Sequence, residues 1–414
     1  MPKLTHAEKL DRLAQVAVHV GLRPSEGQEV FLTAPVEALP LVRLATQHLY
    51  RAGVSLVTTI LDDPALSAAR IRYAPDAAFD VAAGWFYEGV EKAFSNGAAR
   101  MAITGSDPGA LAGLDQARIG RAAKSQAVVY KPVSDLIVSS AINWSIFPSA
   151  TRAWAKTVFP DLPERRAEKM LWDAIFKATR ADAEDPIAAW DAHNKGLLAR
   201  RAWLNEKHLS ALHFRGPGTD LVVGLARGHV WAGGVSETKR GLRFNPNLPT
   251  EEVFSAPDRS RVSGYVTSTK PLSLRGSVLK GIRVTFADGG ITQVTADQGQ
   301  QVFERLIETD EGARFLGEVA LVPHSSPISA SGLLFYNTLF DENAACHIAV
   351  GQSYSKCIAG GAGMSDEELF SRGANRSNVH TDWMIGGVEV DVDGIGEDGS
   401  VQPIMRKGEW AVKI

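Results

Sequence analysis

The sequence has few cysteines and no long apolar run, and both absences limit where the protein resides. Cys346 and Cys357 are the only cysteines in 414 residues, which is too few to cross-link a secreted scaffold and indicates a reducing compartment. No stretch approaches the roughly 20 apolar residues that a membrane span needs. The segment Thr5–Val20 carries Lys9 and Asp11 where a signal peptide would need an unbroken apolar stretch. The sequence therefore predicts a cytoplasmic protein with no membrane partner.

Two further absences exclude classes of ligand. The formal net charge is only -3, and no basic stripe interleaved with aromatic residues occurs, so we expect no nucleic-acid partner. The glycine-rich run Gly-Ser-Asp-Pro-Gly at residues 105–109 lacks the Gly-x-Gly-x-x-Gly and Gly-Lys-Ser patterns of phosphate-binding loops. We interpret it as a tight turn.

The chain is long enough for two hydrophobic cores, and its first half alternates between strand and helix patterns. At 414 residues it exceeds the size of one ordinary core, so two domains are expected. Strands are predicted at Glu29–Ala34, Val54–Leu61 and Ala99–Thr104, and helices at Glu37–Ala52 and Ala77–Phe94. Strands that alternate with helices predict a parallel sheet of the doubly wound type.

The pattern changes after Lys207, where short strands replace helices. The predicted strands are Leu209–Phe214, Asp220–Leu225, His229–Trp231, Arg261–Ser268, Gly281–Phe286 and Ile291–Val294. Because the preceding stretch is mostly helical, we place the domain boundary between Pro186 and Lys207. The predicted fold class is α/β with two α/β domains: a doubly wound N-terminal domain with a helical extension at residues 1–195, and a β-rich C-terminal domain at residues 196–414.

Carboxylates and histidines concentrate in this second domain. The candidate site residues among them are Glu251, Glu252, Glu318, Glu342, His347, His380 and Asp382. His380 and Asp382 are two residues apart, so on a strand both point to the same side. Glu342 and His347 are five apart and can meet only through a bend. Carboxylates in apolar surroundings need a compensating partner, and this set supplies the ligands of a hydrolytic two-metal site, so the β-rich domain is the predicted metal-binding, catalytic one.

Several stretches of the chain together carry a resemblance to one protein family. Those in the second half are Asn247-Leu-Pro-Thr-Glu-Glu-Val-Phe254, Gly317-Glu-Val-Ala-Leu-Val322, Ser326-Pro-Ile328, Phe335-Tyr-Asn-Thr-Leu-Phe-Asp-Glu-Asn343, Cys346-His-Ile-Ala349 and His380-Thr-Asp-Trp-Met-Ile-Gly386. Gly21-Leu-Arg-Pro and Arg70-Ile-Arg-Tyr extend the resemblance into the first half. In this order the stretches resemble the two-domain thermophilic metallo-aminopeptidases of the aminopeptidase T type, and the resemblance spans nearly the whole chain.

The resemblance implies an aminopeptidase that removes N-terminal residues from peptides with a pair of divalent metal ions. The implied metal ligands are Glu252, Glu318, Glu342, His347, His380 and Asp382. Glu318 is the implied bridge, because one carboxylate can offer an oxygen to each ion, and a close ion pair lowers the pKa of a shared water toward neutrality. Mixed carboxylate and imidazole ligands suit zinc, cobalt or manganese. The expected partners are peptides with a free N-terminus and, as the family implies, a second copy in a homodimer.

Two further residues are implied as catalytic. Neighbours in an extended segment point to opposite faces, so with Glu252 as a ligand, Glu251 is left as the general base or the anchor of the substrate amine, or as a plain surface or supporting carboxylate. Tyr354 matches a tyrosine of the family site. It either donates its hydroxyl to the developing oxyanion or packs in the core.

Two other functions remain open at this point. The architecture is also similar to that of 2,5-dihydroxypyridine dioxygenases, which cleave a ring with one ferrous ion, and His347, His380 and Asp382 alone would form such a triad. A non-catalytic peptide-binding protein of the same fold is the other alternative. The additional carboxylates at 252, 318 and 342 argue against both, because they imply a second, harder ion.

Overall fold

The computed structural model describes residues 4–105, 107, 109–111, 113–274 and 276–413. Ser106 and Pro108 of the predicted glycine-rich turn lie outside the described residues. The chain divides into two compact units. Unit 1 comprises Met1–Ala192 and Val235–Pro249, and unit 2 comprises His193–Gly234 and Thr250–Ile414. That the segments 1–195 and 196–414 act as separate functional domains stays a prediction.

Unit 1 is built on a parallel sheet with the strand order β2-β1-β3-β4. The strands, numbered along the chain, are β1 Glu29–Pro35, β2 Leu56–Asp62, β3 Ala99–Thr104 and β4 Trp144–Pro148. Parallel registers join β1 to β2 and β3, and β3 to β4. The chain adds β2 next to one edge of β1 and then returns to add β3 and β4 next to the other edge, which is the strand order of a doubly wound sheet.

Helices connect these strands. They are α1 His6–Val16, α2 Leu39–Arg51, α3 Pro64–Tyr73, α4 Gly84–Ser95, α5 Gln116–Val138, α6 Arg152–Val158 and α7 Glu164–Ala178. α1 begins at a capping box, in which the Thr5 hydroxyl accepts from the Glu8 amide while the Glu8 carboxylate accepts from the Thr5 amide. Its apolar face buries Leu10, Leu13 and Val16, which recur at helical spacing.

The helix predicted at Ala77–Phe94 is broken in the structure. A 3-10 turn at Asp76–Asp80 precedes α4, which starts only at Gly84. The guanidinium of Arg70 donates to the carbonyls of Ala78 and Val81, at 2.8 and 2.7 Å. In a continuous helix each of these carbonyls would accept a hydrogen bond from the amide four residues later in the chain. Here the carbonyls accept hydrogen bonds from the Arg70 guanidinium instead.

One long helix, α8 Pro186–Lys207, precedes the β-rich part of the chain. A short hairpin in unit 1 pairs β7 Ser236–Glu237 with β8 Arg243–Phe244. The strands of unit 2 are β5 Ala211–Gly216, β6 Thr219–Leu225, β9 Val253–Ser255, β10 Pro257–Thr267, β11 Leu272–Leu274, β12 Ser277–Leu279, β13 Arg283–Ala287, β14 Gly290–Thr295, β15 Leu316–Leu321, β16 His347–Gly351, β17 His380–Met384, β18 Asp391–Ile395, β19 Val401–Arg406 and β20 Glu409–Trp410. Its helices are α9 Gln300–Ile307, α10 Pro327–Ser331, α11 Thr338–Asp341 and α12 Asp366–Ser371.

Two antiparallel sheets organise unit 2. The larger has eight strands in the order β14-β13-β10-β6-β5-β18-β19-β20, and the smaller has four in the order β17-β16-β15-β9. The stretch predicted as a strand at His229–Trp231 forms no strand in the structure and makes one isolated bridge, from His229 to Ile358. The predicted fold class, an α/β chain with a parallel N-terminal sheet and a β-rich second part, is confirmed. Among the described residues no helix is both long and apolar enough to cross a membrane.

Candidate metal centre

Three strands of the smaller sheet, β15, β16 and β17, place four of the candidate ligands on one face. Glu318 of β15 lies opposite Ala349 of β16, which lies opposite Asp382 of β17. His347 and His380 are each two residues from a member of this row, so their side chains project on the same side. Ala349 contributes only a methyl group to the row and leaves space between the two carboxylates.

The opposite face of the same strands is apolar and holds them in place. Val319, Ile348 and Trp383 alternate with the polar residues and are fully buried in the main core of unit 2. The Trp383 ring meets Phe303 of α9 edge to face, with 5.8 Å between the ring centroids. Strand alternation therefore gives each of these strands one side for packing and one for the site.

His347 is the centre of the first group of ligand atoms. Its Nε2 lies 3.2 Å from Glu252 Oε2, 3.6 Å from Glu318 Oε1 and 4.0 Å from Asp382 Oδ1. Glu252, Glu318 and His347 each offer an atom within 4.8 Å of the others, and all three are buried. Such a set can hold a divalent cation.

His380 belongs to a second group that shares Glu318 with the first. Its Nε2 lies 3.7 Å from Glu318 Oε2 and 3.5 Å from Asp382 Oδ2. Glu318, His380 and Asp382 again offer atoms within 4.8 Å of one another. The two oxygens of Glu318 therefore face different histidines, and so do the two oxygens of Asp382.

Backbone carbonyls orient both imidazoles. The Nδ1 of His347 lies 3.1 Å from the Ala345 carbonyl, and the Nδ1 of His380 lies 2.8 Å from the Gln352 carbonyl. A carbonyl can only accept, so each Nδ1 carries a proton and each Nε2 is turned toward the carboxylates, where a neutral ring would offer its lone pair to a cation. Metal-binding histidines are commonly fixed by this type of hydrogen bond.

The buried charges of the cluster shift the pKa values of its carboxylates and histidines. Burial raises the pKa of Glu318, and the nearby charges of Asp382 and Glu252 add to the shift, although His347 opposes it. Burial alone would lower the pKa of His347, but the carboxylates of Glu252 and Glu318 raise it well above its usual value. His380 behaves in the same way beside Asp382, and its pKa rises to about 9. A concentration of buried negative charge thus draws positive charge into the site.

The predicted bend brings Glu342 toward this cluster. α11 and a 3-10 turn at Glu342–Ala344 reverse the chain before β16 begins at His347. Burial and the charges of Glu252 and Asp382 raise the pKa of Glu342 well above its usual value, so its carboxylate shares their environment. Glu342 belongs to neither of the two tight groups of ligand atoms.

Glu251 and Glu252 point in different directions, as expected for neighbours in an extended segment. Glu252 faces His347, whereas Glu251 Oε2 lies 3.7 Å from His193 Nε2. That imidazole nitrogen also lies 2.8 Å from the Thr250 carbonyl. Both glutamates are buried, and the structure places only Glu252 in the group of ligand atoms.

Tyr354 lies beside the second group. Its ring centroid is 4.9 Å from that of His380 and 6.1 Å from that of Phe254. Burial, together with the charges of Glu318 and Asp382, raises the pKa of the phenol well above its usual value. The hydroxyl therefore keeps its proton near neutral pH and is available as a hydrogen-bond donor.

Two buried polar atoms of the cluster show that the residues fit a cation. His347 Nε2 and Asp382 Oδ1 make no hydrogen bond with any described residue. A buried polar atom without a partner is costly, and buried polar groups are rarely left in that state. A lone pair on each of these atoms, beside two further carboxylates, is the donor set that divalent zinc, cobalt or manganese accepts.

Asn343 supports the site and was missed at the sequence level. It is fully buried, and its Oδ1 accepts from the Glu251 amide at 2.7 Å while its Nδ2 donates to the Leu339 carbonyl at 3.1 Å. The Ser326 hydroxyl in turn donates to the Asn343 carbonyl at 2.9 Å. Asn343 therefore ties the segment that carries Glu252 to the turn that carries Glu342. Its place directly after a candidate ligand was the only sequence signal.

Replacing Asn343 with alanine should weaken metal binding. The Glu251 amide would lose its acceptor, at a cost of about 1–3 kcal/mol in the free energy of unfolding, and loss of such a supporting contact lowers metal affinity about 10- to 100-fold. Zinc affinity by competition with a chromophoric chelator measures the effect. Asn205→Ala is the matched control, since its two hydrogen bonds go to the backbone of Trp231. Equal zinc affinity in both variants would contradict the role of Asn343.

A β-rich unit with four carboxylates and two imidazoles gathered at one sheet is typical of a metal-dependent hydrolase. The model of a family described as thermophilic metalloprotease (M29) matches residues 6–410 of the chain. Aminopeptidase T of Thermus thermophilus is 53% identical over 403 residues, which cover 97% of this chain and 98% of the relative. Aminopeptidase 2 of Geobacillus stearothermophilus is 44% identical over 407 residues, covering 98% of each chain.

A solved structure agrees with these sequence comparisons. The structure of wild-type AmpT from Thermus thermophilus superposes with a TM-score of 0.94 at 51% identity, and it covers 99% of this chain and 100% of that one. The chain belongs to the thermophilic metalloprotease family M29. The predicted resemblance and the predicted enzyme class, a hydrolase of peptide bonds, are confirmed.

Proposed function

We propose that this protein is a metal-dependent aminopeptidase whose site holds two divalent ions bridged by Glu318. The observation that carries the proposal is the pair of ligand groups, Glu252 with His347 and His380 with Asp382, which share Glu318. The oxygens of Glu318 lie 3.6 and 3.7 Å from the two imidazoles. The relatives named aminopeptidases support hydrolysis at the N-terminus of peptides.

The charge of the cluster supports two ions rather than one. Glu252, Glu318, Glu342 and Asp382 contribute four negative charges, and neutral histidines contribute none. With all four carboxylates ionised, two divalent cations leave the set neutral, whereas one cation leaves two negative charges that only protonation of a carboxylate or of the second histidine would compensate. Buried charge is stable only when it is paired or coordinates a metal, so the ligand count favours a pair.

The two ions would polarise the scissile carbonyl and lower the pKa of a shared water toward neutrality. The chain's own residues would do the remaining work. Tyr354, protonated beside the second group, would donate its hydroxyl to the oxygen on which negative charge develops. Glu251, buried next to the ligand segment, would accept the proton of the attacking water or hold the substrate's α-ammonium. A group that holds a free amine favours removal of terminal residues over cleavage within a chain.

The two alternative functions explain less of the site. An iron(II) dioxygenase would use His347, His380 and Asp382 and would leave the carboxylates of Glu252 and Glu318 buried without a role. A non-catalytic peptide-binding protein would leave the whole cluster unexplained. We also propose the homodimer and the cytoplasmic location expected from the sequence, for which size-exclusion chromatography with light scattering and cell fractionation are the tests.

Hydrolysis of aminoacyl-p-nitroanilides tests the proposed function. Protein stripped with a chelator should be inactive, and activity should return as zinc, cobalt or manganese is added, with a plateau at two ions per chain. An N-acetylated substrate should be resistant, because it has no free amine. Saturation at one ion per chain, or equal rates on the acetylated substrate, would contradict the dinuclear aminopeptidase. Ferrous iron at one per chain, with no peptide hydrolysis, would favour the dioxygenase.

A further inference from the structure

Unit 1 contains a cavity that none of the candidate metal ligands touches. Its volume is about 210 Å3. It lies between the parallel sheet and the helices α4 and α5, and it is lined by Phe31, Thr33, Ile60, Asp62, Phe86, Tyr87, Val90, Phe94, Arg100, Tyr130 and Val133. The peptidase function of unit 2 assigns this cavity no role.

Among the described residues that line this mostly apolar and aromatic cavity, Arg100 is the one cation. Arg100 is on β3, an inner strand, and its register partner on β1 is Phe31. Inner strands of parallel sheets are covered on both faces and normally carry apolar residues. The guanidinium of Arg100 makes no hydrogen bond or ion pair with any described residue, and burial lowers its pKa. The side chain is only partly buried, so water reaches the guanidinium, and an anion that enters the cavity can take the place of that water.

Aromatic rings form most of the remaining wall. The Phe31 ring lies 6.2 Å from that of Phe86 and 6.1 Å from that of Phe94, and the Tyr87 and Tyr130 rings lie 5.5 Å apart. All but Phe94 are only partly buried, so their faces are open to the cavity. This lining would surround a flat or branched apolar group.

An acidic group lies at the rim of the same cavity. Asp62 is at the end of β2, two residues after Ile60, which is the register partner of Thr33. Its carboxylate is exposed and forms no ion pair with a described cation within 4.0 Å, including Arg100. The cavity therefore offers one positive group inside, one negative group at the rim and aromatic surface between them.

We propose that this cavity is a second ligand site, which binds a small carboxylate carrying a compact apolar or aromatic group. The planar fork of Arg100 matches a carboxylate in a bidentate manner. The volume is below the roughly 300–1,000 Å3 of pockets for drug-sized ligands, so the ligand is small. Free apolar amino acids and their deaminated acids both have this chemistry, and only the amino acid carries an ammonium group that Asp62 can bind.

Calorimetric titration of the full chain with L-phenylalanine and with 3-phenylpropanoate tests the proposal. Both probes should bind the parent protein, and Arg100→Met should weaken both at least about tenfold, the effect of a lost charge-assisted hydrogen bond. Asp62→Asn should weaken only L-phenylalanine, which separates an amino-acid site from a site for simple carboxylic acids. Arg43→Met, at an exposed position of α2, is the matched control and should bind as the parent does.

Stability and catalysis provide the second readout. Because Arg100 pairs with none of the described residues, Arg100→Met should melt no lower than the parent and should hydrolyse peptides at the parent rate. If that variant does not fold, Arg100→Lys keeps the charge without the fork and should still bind the probes more weakly. The proposal is overturned if neither probe binds the parent, or if binding survives in both Arg100 variants and disappears in Glu318→Gln, since the acids would then occupy the metal centre.

Discussion

Replacing Glu318 with glutamine should abolish peptide hydrolysis and leave the fold intact. The two side chains have the same shape, but the amide keeps only one oxygen, and each oxygen of Glu318 faces a different histidine. Loss of one oxyanion donor alone lowers turnover about 100- to 1,000-fold, and loss of a bridging ligand should exceed that. We therefore expect kcat/KM to fall by at least about a thousandfold.

The measurement combines rate, metal content and fold. The rate is taken with saturating zinc, the metal content by mass spectrometry of the washed protein, and the fold by circular dichroism. Glu397→Gln is the matched control, because Glu397 is exposed in the same unit and should have no effect. A Glu318→Gln variant that keeps two ions and a rate within tenfold of the parent would rule out the bridging role.

The local arrangement of the site residues could be predicted from the sequence, but the way in which distant segments come together could not. The spacing of His380 and Asp382 placed both on one side of a strand, and β17 shows that arrangement. The five-residue spacing of Glu342 and His347 required a bend, which the 3-10 turn provides. The resemblance added the roles of Glu252 and Glu318. Backbone geometry determines which way side chains two to five residues apart can point, so their relative direction can be predicted from the sequence.

The rest depends on contacts between distant parts of the chain. Nothing in the sequence orders the strands as β17-β16-β15-β9, although this order brings Glu318 and Asp382 into one row with Ala349. Side-chain hydrogen bonds over long separations, such as that from the Glu251 amide to Asn343, leave no periodic signal. The break before α4 has the same origin, since it follows from the partners of Arg70. A charged residue within an apolar strand, as at Arg100, is visible in the sequence, but whether another described residue pairs with it is not.

Removing the metal should destabilise unit 2 strongly. Without cations, the buried carboxylates of Glu252, Glu318 and Asp382 repel one another, and the pKa values of Glu318 and Glu342 are raised. An ion that binds only the folded state at a thousand times its Kd adds roughly 4 kcal/mol, so two ions add roughly 8 kcal/mol to the free energy of unfolding. At about 2–4 °C per kcal/mol, chelation should lower the melting temperature of this unit by roughly 15–30 °C.

Differential scanning calorimetry with and without chelator, followed by zinc titration, measures this shift and also counts the ions. With two ions the melting temperature should rise until two equivalents have been added, whereas a mononuclear site would stop gaining at one equivalent, with about half the expected rise. Glu318→Gln makes the test specific: it removes one negative charge, so the chelated variant should melt above the chelated parent, but it should gain much less from zinc. Equal gains in parent and variant would place the stabilising ions elsewhere in the protein.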